Sequence, residues 1–140
     1  MKFSVILIGA MIVLLAAFQA KPGFKVDPNA LYQSANEMYF NGELPKNVPV
    51  YAAESYDADG KKVIAITHHP IGTHQYEMEL SPSLNPTLNY ELFSIYHEAC
   101  HISVMEEAEN SNEPMPEPHG NRWQHCMLNL AKNGAFAEIW

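Results

Sequence analysis

The chain has 140 residues, with 16 acidic side chains against 8 basic ones and a formal charge of −8. An acidic chain of this kind lacks the basic face with which proteins neutralise the phosphates of duplex DNA, so no nucleic-acid partner is expected. Its length suits one small domain with a single core, and it shows no internal repeat or low-complexity segment.

Met1-Lys2 is followed by an apolar run over residues 3–18, broken only by Ser4 and Gly9. The run fits a signal-peptide core and is short for a membrane-spanning helix, which needs about 20 apolar residues. Ala20 offers a small residue at the end of the segment, although Phe18 two positions earlier suits cleavage poorly. Cleavage after Ala17 puts Leu15 in the same role. Residues 1–20 are therefore expected to be a signal peptide or an uncut N-terminal anchor, and residues 21–140 a domain that is secreted or periplasmic. Contact with a membrane is expected only through residues 3–18. Without Lys2 the remainder carries 7 basic against 16 acidic side chains, a formal charge of −9.

Asp27-Pro28 is a helix start, a capping side chain followed by proline at the first helical position. Leu31, Ala35, Met38 and Tyr39 recur at helical spacing, and Asn41-Gly42 ends the element. Three short segments with strand character follow, over residues 48–53, 63–68 and 75–80. Residues 57–60 turn between the first two, and residues 70–72 break the second from the third. In the last, Met78 and Leu80 alternate with Glu77 and Glu79, apolar on one side and acidic on the other. Asn85-Pro86 repeats the cap-plus-proline signal, and no Gly or Pro occurs from Leu88 until Pro114. The apolar residues of this long helix surround it almost completely, which places it in an interior. Residues 110–118 read as a surface loop with three prolines. After His119-Gly120 a last helix begins, with Trp123, Cys126, Met127 and Leu130 on one face, ending near Asn133-Gly134. The expectation is an α+β domain, a small three-stranded sheet packed with about three helices.

The long helix contains His97-Glu98-Ala99-Cys100-His101, the pattern H-E-x-x-H. Residues four apart on a helix project side by side, so His97 and His101 can reach one zinc ion. Glu98 lies beside the pair, suited to taking a proton from a water and awkward as a ligand. Paired histidines and a carboxylate in an apolar helix need partners, and a metal supplies them. Catalytic zinc sites usually carry three protein ligands. Position 107, where a metzincin has its third histidine, is Glu107, and Val104 stands where that pattern needs glycine. Glu106, Glu107 and Glu109 lie too close to His101 on the same helix. His119, delivered across a loop, is the easier third ligand.

Three blocks in order resemble the SprT-like zinc metallopeptidases: Asn36 to Pro45 (N-E-M-Y-F-N-G-E-L-P), His97 to His101, and His119-Gly120-Asn121-Arg122-Trp123. Together they span roughly residues 30–130. The resemblance implies a zincin-like fold with H-E-x-x-H on the central helix, His97, His101 and His119 holding zinc, and Glu98 as catalytic base. It also implies peptide-bond hydrolysis of a protein or peptide substrate laid along an edge strand. That strand precedes the motif helix in zincins, which points to residues 76–80. The zinc ribbon carried by many members is missing from this sequence, and an export signal on an acidic domain makes a role in DNA repair unexpected.

For stabilising the oxyanion, Tyr96, His125 and Arg122 are the candidates. His68, His69 and His74 form either a second metal site or, as expected, a polar turn. His125 reads as a helix-surface residue. Cys100 and Cys126 are open between a disulfide and two buried thiols. The rival to an exported zinc peptidase is a catalytically inactive zinc-binding domain that serves as an exported protein-binding module. Such a module would keep the histidines but would have no use for Glu98.

Overall fold

The computed structural model describes residues 23–137 and 139. The apolar run at residues 3–18 lies outside the described residues, among which no helix is long and apolar enough to cross a membrane. The fold is α+β, three helices with a small mixed sheet of three strands.

Asp27 caps α1 (Pro28–Tyr39), its carboxylate accepting the Asn29 N–H at 3.0 Å. Leu31, Tyr32, Ala35 and Asn36 form the buried face of α1. Met38, expected on that face, is 66% exposed because it falls on the solvent side of the last turn. Asn36 has a different task. Its side-chain amide accepts the Leu44 N–H and donates to the Leu44 carbonyl, both at 3.0 Å, so the turn after α1 is clamped from within. Asn41 and Gly42, both at positive φ, reverse the chain between these anchors.

The strands are β1 (Val50–Ala52), β2 (Ser55–Tyr56), β3 (Lys62–Val63), β4 (Ala65–His68) and β5 (Glu77–Leu80). The sheet order is β1-β5-β4, with β1 parallel and β4 antiparallel to β5. The strand expected at the edge, residues 76–80, is thus the central one, flanked on both sides. Its Met78 and Leu80 are fully buried, as suits a strand closed in by two neighbours. The turn at residues 57–60 does not join strands of the three-stranded sheet. It closes a separate ribbon of β2 and β3, with the Asp57 carboxylate accepting the Asp59 and Lys61 N–H groups.

A short 3₁₀ turn (Pro82–Leu84) leads into α2 (Leu88–Asn110). The cap of α2 is Thr87, not Asn85. The Asn85 side chain is drawn inward instead: it donates to the carbonyls of Ile64 and Ser81 and accepts the Ser94 hydroxyl at 2.6 Å. A buried amide with three partners has no reason to face a helix end. The final helix, α3 (Asn121–Lys132), packs on α2, and a disulfide between Cys100 and Cys126 joins the two. The core lies between α1, α2 and the sheet, with Tyr32, Met78, Leu80, Ile95 and Ile102 among its fully buried members.

Candidate metal centre

The middle of α2 is buried, and four residues per turn-and-a-bit put His97 and His101 on one flank of it. The loop of residues 111–120 returns across that flank and delivers His119, which adopts φ +58 just before Gly120, the residue preceding α3. Few side chains adopt that left-handed conformation without compensation. Glycine suits position 120, since a Cβ there would stand a tight 3.1 Å from the Glu117 carbonyl oxygen.

The three Nε2 atoms converge. They lie 3.2 Å (His97–His101), 3.1 Å (His101–His119) and 2.9 Å (His97–His119) apart. Each imidazole nitrogen has one in-plane orbital, so three of them aimed at one point cannot satisfy each other by hydrogen bonds. They can satisfy a cation. A point about 2.0–2.1 Å from all three exists roughly 1 Å outside their plane, as a tetrahedral zinc with one open position requires. The three residues therefore fit a metal ion, and among the described residues they form one of two such groups.

The rings are held chiefly by packing. Trp123 of α3 lies with its ring centroid 4.7 Å from His97, 5.6 Å from His101 and 4.7 Å from His119. Its indole N–H donates to the His97 carbonyl at 3.1 Å. The Nδ1 of His97 is buried and makes no hydrogen bond among the described residues, so this ring has no polar orienting partner and leans on Trp123 and Phe93. Burial, and then the charges of the neighbouring histidines, push His97 down to about 3; burial, and then His119, push His101 down to about 4. Both imidazoles stay neutral, the form that binds a metal.

Glu98 is buried with its Oε1 3.9 Å from His97 Nε2. The Thr67 hydroxyl of β4 donates to its Oε2 at 2.5 Å, and the Thr67 backbone N–H reaches the same carboxylate. Burial raises Glu98 from 4.5 to about 7, with the Thr67 donors acting against the rise. A carboxyl group poised there can both take and return a proton near neutral pH. A cleft of about 280 Å³ opens in front, lined by Ala65, Ile66, Thr67, Met105 and Pro118 together with these three histidines and Glu98.

His97, Glu98, His101 and His119, singled out in the sequence, are thus brought together. Tyr96, His125 and Arg122 are not at this cleft. Tyr96 packs edge-on against Tyr39 and Phe136 in the interior, Arg122 pairs with Glu113, and His125 and Arg122 line a different cleft beside Tyr39 and Glu107. Thr67 and Trp123 complete the site. Trp123 stands inside the H-G-N-R-W block, whereas no sequence signal marks Thr67. His68 pairs with Glu79, while His69 and His74 face Glu109 and Glu106. Comparison with family models, curated proteins and solved structures finds no match to this chain.

Proposed function

We propose that this chain is a zinc-dependent metallopeptidase of the SprT-like, zincin kind, with His97, His101 and His119 holding the ion and Glu98 as general base. The observation that carries the reading is the convergence of three histidine Nε2 atoms within 3.2 Å, beside a buried carboxyl group, at the rim of an open cleft. Zinc bound there supplies Lewis-acid chemistry, polarising a water and a substrate carbonyl. Glu98 takes the proton of the attacking water at its carboxylate and returns it to the leaving amine. Thr67 fixes which way the Glu98 carboxylate faces. Among the described residues β4 pairs only with β5, and its other edge borders the cleft, so an extended peptide is best accommodated along β4 by strand addition. Export fits the apolar run of residues 3–18 and the disulfide of Cys100 with Cys126, which belongs to an oxidising compartment.

The test is zinc content together with cleavage of an unfolded protein such as casein. Glu98→Gln keeps size and hydrogen bonding but cannot accept the proton. It should bind zinc nearly as the parent does and lose about 10²–10⁴ in kcat. A parent that binds zinc and cleaves no protein or peptide favours the protein-binding module. Near-normal turnover in Glu98→Gln removes Glu98 as the base.

A further inference from the structure

We propose a second divalent-metal site, of zinc type, formed by His74, Glu106 and Glu109 where the turn between β4 and β5 meets the last turn of α2. His74 Nδ1 lies 3.0 Å from Glu106 Oε1 and 3.3 Å from Glu109 Oε2, and the three donor atoms lie within 4.8 Å of one another. The two distances from His74 approach the roughly 3.3–3.6 Å that separates ligands around a tetrahedral ion with bonds of about 2.0–2.2 Å.

The independent sign of a missing ligand is Glu109. Its side chain is only 6% exposed, and its Oε2 makes no hydrogen bond among the described residues, its one polar neighbour given being the His74 ring at 3.3 Å. A buried carboxylate oxygen held by one long contact is under-satisfied and has room for a stronger partner. Glu109 cannot turn away, because its Oε1 is held by His69 Nε2 and by the Gly72 N–H, each at 2.7 Å. Glu106 is oriented in the same manner by the Tyr76 hydroxyl, which donates to its Oε1 at 2.7 Å. His69 is itself fixed, stacked on Tyr76 at 4.1 Å with Nδ1 2.8 Å from the Gln75 carbonyl oxygen. Ligands steered by a surrounding layer of donors are how metal sites are built. His74 is half exposed and leaves a route for the ion.

One imidazole with two carboxylates selects a first-row divalent ion such as zinc over calcium or magnesium, which prefer all-oxygen shells. The site lies about 13 Å along α2 from the first, too far for two ions to act on one bond. Its effect is to pin the turn of residues 69–75, and through it the end of β4 that borders the cleft.

Zinc titration of the metal-stripped purified chain by calorimetry, with elemental analysis, tests the site. The parent should take two equivalents. His74→Gly, which tolerates the φ of +50 at that position, should take one; so should Glu109→Gln. His101→Ala should also take one, and that equivalent should protect residues 69–75 from hydrogen exchange. His69→Phe should weaken the second equivalent by about 10–100-fold. A parent that takes a single equivalent, lost in His101→Ala and untouched by His74→Gly, overturns the proposal and leaves His74 as an ion-pair partner of the two carboxylates. The first centre fails separately, if His101→Ala changes nothing while His74→Gly removes zinc.

Discussion

Burial raises the pKa of Glu98, and Thr67 limits the rise. A hydrogen bond to the ionised carboxylate lowers its pKa, so Thr67→Val, which keeps the shape and removes the hydroxyl, should raise it. A hydrogen bond to a charged group is worth roughly 1.5–3 kcal/mol, equivalent to about 1–2 pH units. In the proposed reaction the acidic limb of kcat/KM against pH reports Glu98, since a base must be ionised to accept a proton. That limb should move upward by about this amount in Thr67→Val, and an unmoved limb would show that Thr67 does not act on the base. Trp123 is the corresponding control on the metal side. Trp123→Leu removes the wall behind all three imidazoles and the donor to the His97 carbonyl. It should weaken zinc by about 10–100-fold in competition with a chelator. These two residues also mark the limit of what sequence discloses. His97, Glu98 and His101 are legible because one helical period fixes their mutual placement. Thr67 is 31 positions from Glu98, and only the packing of β4 on α2 joins them.

At the scale of elements, what was legible followed local rules and what was not followed pairing. α1 is capped by Asp27 and Pro28 as its sequence indicates, and α3 starts after His119-Gly120. The alternation of Glu77, Met78, Glu79 and Leu80 declares a buried face, but no alternation says which strands lie alongside. That is why the central strand was expected at an edge. Asn85 shows the same limit, since its signal for a cap is genuine and three tertiary partners outcompete it. The pairing of Cys100 with Cys126 was open for the same reason. Closing a loop over a sequence separation of 26 should contribute about 3.5 kcal/mol by the chain-entropy estimate. Replacing both cysteines with alanine should lower Tm by on the order of 10 °C in a calorimetric melt. Asn36→Ala leaves the buried Leu44 N–H and carbonyl unpaired and should cost about 2–3 kcal/mol in urea unfolding.

For the molecule as a whole, the site is an acid liability when stripped of metal. His97 and His101, at about 3 and 4 in the fold, sit below their ordinary 6.5. The unfolded chain therefore takes up protons first, and the stability they contribute is full above pH 6.5 and is lost as pH falls towards 4 and 3. Glu98 opposes them. Raised from 4.5 to about 7, it contributes most below pH 4.5 and loses that contribution as pH rises through 7. Two histidines outweigh one carboxyl, so the Tm of the stripped protein should fall between pH 6.5 and 4, and fall more steeply in Glu98→Gln. A flat profile in both would show that these groups do not titrate as their burial dictates. The disulfide bears on the metal in another way. Cys100–Cys126 and the His101–His119 pair span nearly the same loop, residues 102–118 lying inside both closures. Whichever bond forms first has already brought the loop ends together for the other. Linkage makes the advantage mutual: the factor by which oxidation tightens zinc is the factor by which zinc protects the disulfide from thiols. Each tenfold of that coupling lowers the reduction potential by about 30 mV, measurable in a glutathione titration with and without the ion. If zinc is held as proposed, surroundings that strip it would thus also loosen the disulfide, and surroundings that reduce the disulfide would release zinc.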